Sequence, residues 1–80
     1  MNMKDIYTVI LHSLTGDEDS TVSFEDYDDA VDYIVNEELA EAGASKKEMA
    51  EIKKFLQTER SVEYGNWEYT ICDAKLVLAK

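Results

Sequence analysis

DYDDAVDYIVNEELAEAG, running from Asp26 to Gly43, is the longest periodic segment of this 80-residue chain. Tyr27, Val31, Ile34, Val35, Leu39 and Ala42 recur at three- and four-residue intervals. That spacing draws one apolar stripe along a helix of about four turns. Asp26 stands at the N-cap position, with Asp29 three residues on in a capping-box-like arrangement. Gly43 falls where a left-handed residue ends a helix. A helix with one apolar stripe needs a second layer to bury it, and the flanking sequence supplies candidates.

On the N-terminal side, IYTVIL (Ile6 to Leu11) is β-branched and aromatic, with Tyr7, Val9 and Leu11 in phase on one face of a strand. TGDEDS follows as a turn, and TVSF (Thr21 to Phe24) reads as a second short strand closing a hairpin. On the C-terminal side, Ser45 and Glu48 form a second capping box. Met49, Ile52, Phe55 and Leu56 then make a shorter stripe. The tight connection makes the two helices fold back or turn sharply. SVEYGNWEYTI is a hairpin signal around Gly65-Asn66, with Val62, Tyr64, Trp67, Tyr69 and Ile71 on one side. Beyond it the apolar phase moves to Ala74, Leu76 and Leu78, which predicts a bulge near Asp73. The order is ββααββ: an α+β fold with a small antiparallel sheet of about four strands and two helices on one face. Residues 1–80 form a single domain without internal repeat, low-complexity tract or linker.

Composition narrows the functional classes. The formal net charge is −10, which works against nucleic acid and anionic membrane as direct partners. The same charge favours a basic partner, whose encounter it speeds and orients. Disorder does not fit, because apolar residues make up 45% of the chain and proline is absent. The single cysteine, Cys72, excludes an internal disulfide and fits a reducing compartment. MNMKDIYTVILHSL is too polar for a signal peptide, and no run approaches the length of a membrane span, so a cytoplasmic location is expected.

Candidate chemistry is sparse. His12 and Cys72 could form a dyad only if their strands are neighbours. The plainer account makes His12 a solvent-facing strand end and Cys72 a small packing residue. Asp17, Asp19, Thr21, Ser23, Glu25 and Asp28 fall at the ligand places of an EF-hand-like loop. Val22 nevertheless occupies the place that needs glycine, and Asp28 the place of the bidentate glutamate. Tyr64, Trp67 and Tyr69 resemble a base-stacking platform, but they alternate with Glu63 and Glu68 where such platforms carry bases. They read as sheet core. No catalytic residue, metal ligand or cofactor is assigned, and the expectation is a protein that is not an enzyme.

The acidic segment is the remaining feature. Between Asp17 and Glu41 lie eleven Asp or Glu residues and no Lys, Arg or His. Asp28 and Asp32, and Glu37 and Glu41, are four apart and stand ~6 Å apart along a helix axis at ~1.5 Å rise per residue. Phosphates along a nucleic-acid strand are comparably spaced. Glu37, Glu38 and Glu41 crowd the helix end that disfavours negative charge. The plainer account is a solvated face. Lys46, Lys47, Lys53 and Lys54 on the second helix could also neutralise part of it.

In its length, its charge and the Asp17–Glu41 segment, the whole chain resembles anti-defence proteins of bacterial viruses. Anti-CRISPR proteins and anti-restriction DNA mimics are the nearest in kind. The resemblance implies a stoichiometric inhibitor, in a host bacterium's cytoplasm, that occupies the groove where an effector's Arg and Lys meet DNA. The expected contact set is Asp17, Glu18, Asp19, Asp28, Asp29, Asp32, Glu37 and Glu41. The expected partner is a basic, nucleic-acid-binding protein, met by a monomer or weak homodimer. Two alternatives use the same residues: an immunity or antitoxin-like partner of a basic toxin or nuclease, and a small self-associating accessory protein.

Overall fold

A computed structural model of the chain describes residues 2–16 and 19–78. Strands β1 (Asn2–Ser13), β2 (Asp19–Phe24), β3 (Ser61–Tyr64) and β4 (Trp67–Leu78) form one antiparallel sheet in the order β2-β1-β4-β3. Helix α1 (Tyr27–Tyr33), a π-helical segment (Ile34–Leu39) continuous with it, and α2 (Lys46–Phe55) connect β2 to β3. This is the α+β arrangement ββααββ.

Register explains where the core sits. Val9 pairs with Val22 on one side and Ile71 on the other, and Leu11 pairs with Tyr69. Side chains alternate along a strand, so Val9, Leu11, Tyr69 and Ile71 share one face. They are buried in a single cluster with Ala30, Val31, Ile34, Val35, Leu39 and Leu56 from the helical region. The opposite face carries Thr8, His12, Thr21, Ser23, Thr70 and Cys72.

The helix ends are held by different means. Asp26 has the extended backbone of an N-cap but makes no side-chain cap bond. The expected box with Asp29 does not form; the reciprocal bond is made by Glu or Gln, and aspartate is one methylene shorter. Tyr27 anchors this end instead. Its hydroxyl donates to the Leu56 carbonyl at 2.5 Å, and the Arg60 guanidinium lies 4.8 Å above its ring. The second capping box is complete: Ser45 Oγ accepts from Glu48 N–H at 3.1 Å, and Glu48 accepts from Ser45 N–H at 2.8 Å. At the end of the first helix, Ala44 N–H donates to Leu39 and Gly43 N–H to Ala40, with Gly43 at φ 88°. These are the two bonds of a Schellman motif, with Gly43 in its left-handed position.

Two expectations about phase are corrected. The helix was expected to run as one α-helix, but Ile34–Leu39 is π-helical. Its wider i→i+5 turn slows the rotation of the stripe. Ile34, Val35 and Leu39 are buried as the stripe predicts, whereas Ala42 turns out to solvent. The bulge near Asp73 is absent: β1 and β4 pair in one register from Asn2 with Leu78 to Ser13 with Trp67. Ala74 simply continues the alternation and stands opposite Ile6. In the shorter stripe of α2, Leu56 is fully buried but Phe55 is 46% exposed.

Residues 2–6 and 74–78 pair beyond the reach of both edge strands. This two-stranded extension accounts for dimensions of 44 × 28 × 18 Å and a radius of gyration of 13.6 Å, against about 12 Å for a compact chain of this length.

Because Leu39 is fully buried in the core, Leu39→Ala should lower unfolding free energy by about 2–5 kcal/mol. Phe55→Ala should lower it by less than about 1 kcal/mol, since half its side chain already meets water. Urea denaturation of both variants checks this; equal losses would contradict the burial pattern.

Candidate partner-binding surface

Helix α1 and its π extension carry acid on the sides that the core does not use. Asp28, Asp29, Glu37 and Glu41 are exposed, and none forms an ion pair among the described residues. Asp32 is half-buried and reaches Lys53 of α2 at 3.4 Å. No basic residue lies in the last turn of either helical segment. The bases of α2 thus neutralise one of the five helical members of the expected contact set and leave four.

Spacing along this face depends on the π turn. Asp28 to Asp32 and Glu37 to Glu41 are four-residue steps, but Asp32 to Glu37 is a step of five. In an unbroken α-helix five residues would leave Glu37 about 140° away from Asp32 around the axis. The wider turn of the π segment brings Glu37 closer to Asp32 around the axis than that, without putting the two in line. The π segment covers most of this step, and Asp29, Asp32 and Glu37 consequently line one groove with Phe24, Tyr33 and Asn36.

Tyrosine hydroxyls register the local field. Tyr33 donates to Glu38 Oε2 at 2.7 Å and packs against Phe24 with ring centroids 5.3 Å apart. That hydrogen bond, then burial, then the charges of Glu38, Glu37 and Glu41 push its pKa up to about 12. Tyr69 is raised as well, by burial first and then by Glu38 and Glu41. Glu37, Glu38 and Glu41 therefore form one negative region at the end of the first helix, where the helix dipole adds to it.

The acidic loop is a separate matter. Asp17 and Glu18 lie outside the described residues. Asp19 pairs with His12 across β1 and β2, on the sheet face away from the core cluster, and its Oδ1 lies 2.6 Å from His12 Nδ1. The structure thus gathers Asp28, Asp29, Asp32, Glu37 and Glu41 on one helical element and places Asp19 elsewhere, in a contact with the histidine.

The other candidates are also resolved by position. His12 faces Glu68 and Cys72 faces Thr8, so the two are four residues apart along the strands, roughly 13 Å at ~3.4 Å per residue. They do not assemble a dyad. Among the described residues no group of three or more His, Cys, Asp or Glu could hold a metal ion, and no helix is long and apolar enough to cross a membrane. Of the three sheet aromatics, Tyr69 is buried, but Tyr64 and Trp67 are only half-buried, so the core accounts for one of them fully.

Comparison with known proteins finds no matching family model, no matching curated protein and no matching solved structure.

The His12 contact has a measurable consequence. The hydrogen bond that the His12 ring donates to Asp19, and then the charge of Asp19, raise the His12 pKa above 6.5 in the folded protein. A raised histidine pKa contributes stability that is fully present below about pH 6.5 and is lost as pH rises through the folded value. Asp19→Asn should move the His12 titration back toward 6.5 in NMR. It should also lower the melting temperature more at pH 6 than at pH 9; a pH-independent loss would contradict the coupling.

Proposed function

We propose that this protein acts by binding rather than by turnover, and that its first helix presents a row of carboxylates to the basic, nucleic-acid-contacting surface of another protein. The observation that carries the reading is the set Asp28, Asp29, Glu37 and Glu41, exposed and without ion pairs among the described residues. Four uncompensated acids on one short helix repel one another, by a few tenths of a kcal/mol per close pair. An incoming cationic surface relieves that repulsion and gains attraction as well.

Asp28 to Asp32, the one four-residue step of the row that lies wholly within the α-helical part, rises ~6 Å along the axis, comparable to the spacing of successive phosphates. An effector that grips DNA through Arg and Lys offers the complementary surface, and an RNA-guided CRISPR effector is the partner class that this reading takes first. The protein would occupy that surface in the cytoplasm of a host bacterium and exclude DNA stoichiometrically. It thus acts as an anti-defence inhibitor of the kind its composition resembles. Asp32 plays a smaller part in this reading, because Lys53 already shares its charge.

The test is displacement of a fluorescent DNA duplex from a panel of purified CRISPR effector complexes, followed by anisotropy. The wild-type protein should displace DNA from at least one effector, and more weakly as salt rises, because exposed charges are screened beyond ~8 Å at physiological ionic strength. Asp28→Lys with Glu37→Lys should weaken displacement by about tenfold or more. Glu63→Lys with Glu68→Lys, on the far sheet face, should change it little. Displacement from none of the panel, or equal loss in both double variants, would sink the reading.

A further inference from the structure

Two depressions flank Trp67. One, of about 210 Å³, is lined by Glu38, Glu41, Ala42, Trp67 and Tyr69. The other, of about 530 Å³, is lined by Ala42, Tyr64, Gly65, Asn66 and Trp67. They share Ala42 and Trp67 and so form one groove between the end of the first helix and the β3–β4 hairpin.

Each part of this groove has a structural cause. The π turn rotates Ala42 out of the core, so a methyl group stands where a longer side chain would fill the space. Tyr64 and Trp67 face each other across the two-residue turn Gly65-Asn66, in which Gly65 has φ 61°. With Gly65 alone at positive φ, the turn has the type II′ pattern, and no side chain rises at its first position. Tyr64 is fixed by its hydroxyl, which donates to Glu48 Oε1 at 3.2 Å. Trp67 is half-buried and lines both depressions. Glu41 is exposed, Glu38 is half-buried, and neither meets a basic side chain among the described residues.

Aromatic faces beside carboxylates that lack a cationic partner, Glu38 taking only the Tyr33 hydroxyl on Oε2, suit one ligand chemistry. A cation on an indole ring is attracted by the ring quadrupole, and indole is the strongest of the aromatic partners. A planar guanidinium can stack on that ring while its edge N–H groups reach a carboxylate in a bidentate pair. A phosphate would meet Glu38 and Glu41 as repulsive neighbours. The raised pKa values of Tyr69 and Tyr33, both partly due to Glu38 and Glu41, agree with a negative field in this groove.

We infer that the groove between Glu38, Glu41 and the Tyr64–Trp67 hairpin is an anchoring site for an arginine side chain of the basic protein partner. It rests on the binding function proposed above and adds a point contact to the diffuse attraction of the helix row. Glu41 belongs to both surfaces, so an arginine in the groove sits at the end of the row. The row steers and the groove fixes register.

The experiment uses the whole chain and two probes, hexa-arginine and hexa-lysine peptides, with Trp67 as the reporter because it is the sole tryptophan. Saturable change in Trp67 fluorescence at physiological salt is expected with hexa-arginine, and several-fold weaker binding with hexa-lysine. Glu41→Gln should weaken hexa-arginine binding about fivefold or more. Glu63→Gln removes the same charge from the opposite sheet face and should leave binding unchanged. Trp67→Leu, followed by calorimetry and checked for folding by circular dichroism, should weaken it comparably.

Equal weakening by Glu41→Gln and Glu63→Gln, or no preference for arginine, would overturn the groove as a specific site. If binding survives the groove variants but is lost in Asp28→Lys with Glu37→Lys, the anchor fails and the helix-row reading stands. If the groove variants abolish binding while the helix reversals do not, the row fails and the anchor stands.

Discussion

The pairing of β1 with β4 is the constraint on which the rest of the molecule hangs. Both strands are twelve residues long and they pair in one uninterrupted register at the centre of the sheet. Bringing the two ends of the chain together is a costly loop closure, since everything between them must be accommodated. Once made, it leaves β2 and β3 only the outer edges, and it brings Val9 and Leu11 beside Ile71 and Tyr69 as the floor on which the helices lie. An 80-residue chain has little core to spare, so a single sheet face has to hold almost all of it.

The first helix meets two demands that compete. Its inner side must bury Ala30, Val31, Ile34, Val35 and Leu39, while its remaining sides carry a dense set of acids. Burial on that scale is worth several kcal/mol, far more than the repulsion between exposed carboxylates. The packing therefore imposes the helix and the charges ride on it. Partial relief comes from nearby groups: Lys53 meets Asp32, and the Tyr33 hydroxyl donates to Glu38. Neither reaches Asp28, Asp29, Glu37 or Glu41.

The π segment connects these two demands. Leu39 stays in the core, Ala42 turns outward, and Glu37 comes closer to Asp32 than an α-helical five-residue step allows. The groove beside Trp67 exists because the same rotation leaves a small residue at its base. One change in helical pitch thus shapes both candidate contact surfaces, which is consistent with the frequent occurrence of π turns at functional sites.

Much of the architecture was legible in local sequence. The capping box at Ser45 and Glu48, the left-handed Gly43, the Gly65-Asn66 hairpin and the alternation of Val9, Leu11, Tyr69 and Ile71 are short-range signals, and each matches its element. They are legible because caps, turns and strand alternation are set by backbone geometry within a few residues. Three features escaped for the opposite reason. The π turn leaves no mark in the three- and four-residue spacing, the unbroken register through Asp73 is set by the partner strand, and the placement of Asp19 beside His12 by the β1–β2 pairing. Charge density was plain in the sequence, with eleven acids between Asp17 and Glu41. Which of those acids share a surface was not. That depends on helix pitch and on which face of the sheet a strand residue takes, and both are settled only when the core is packed.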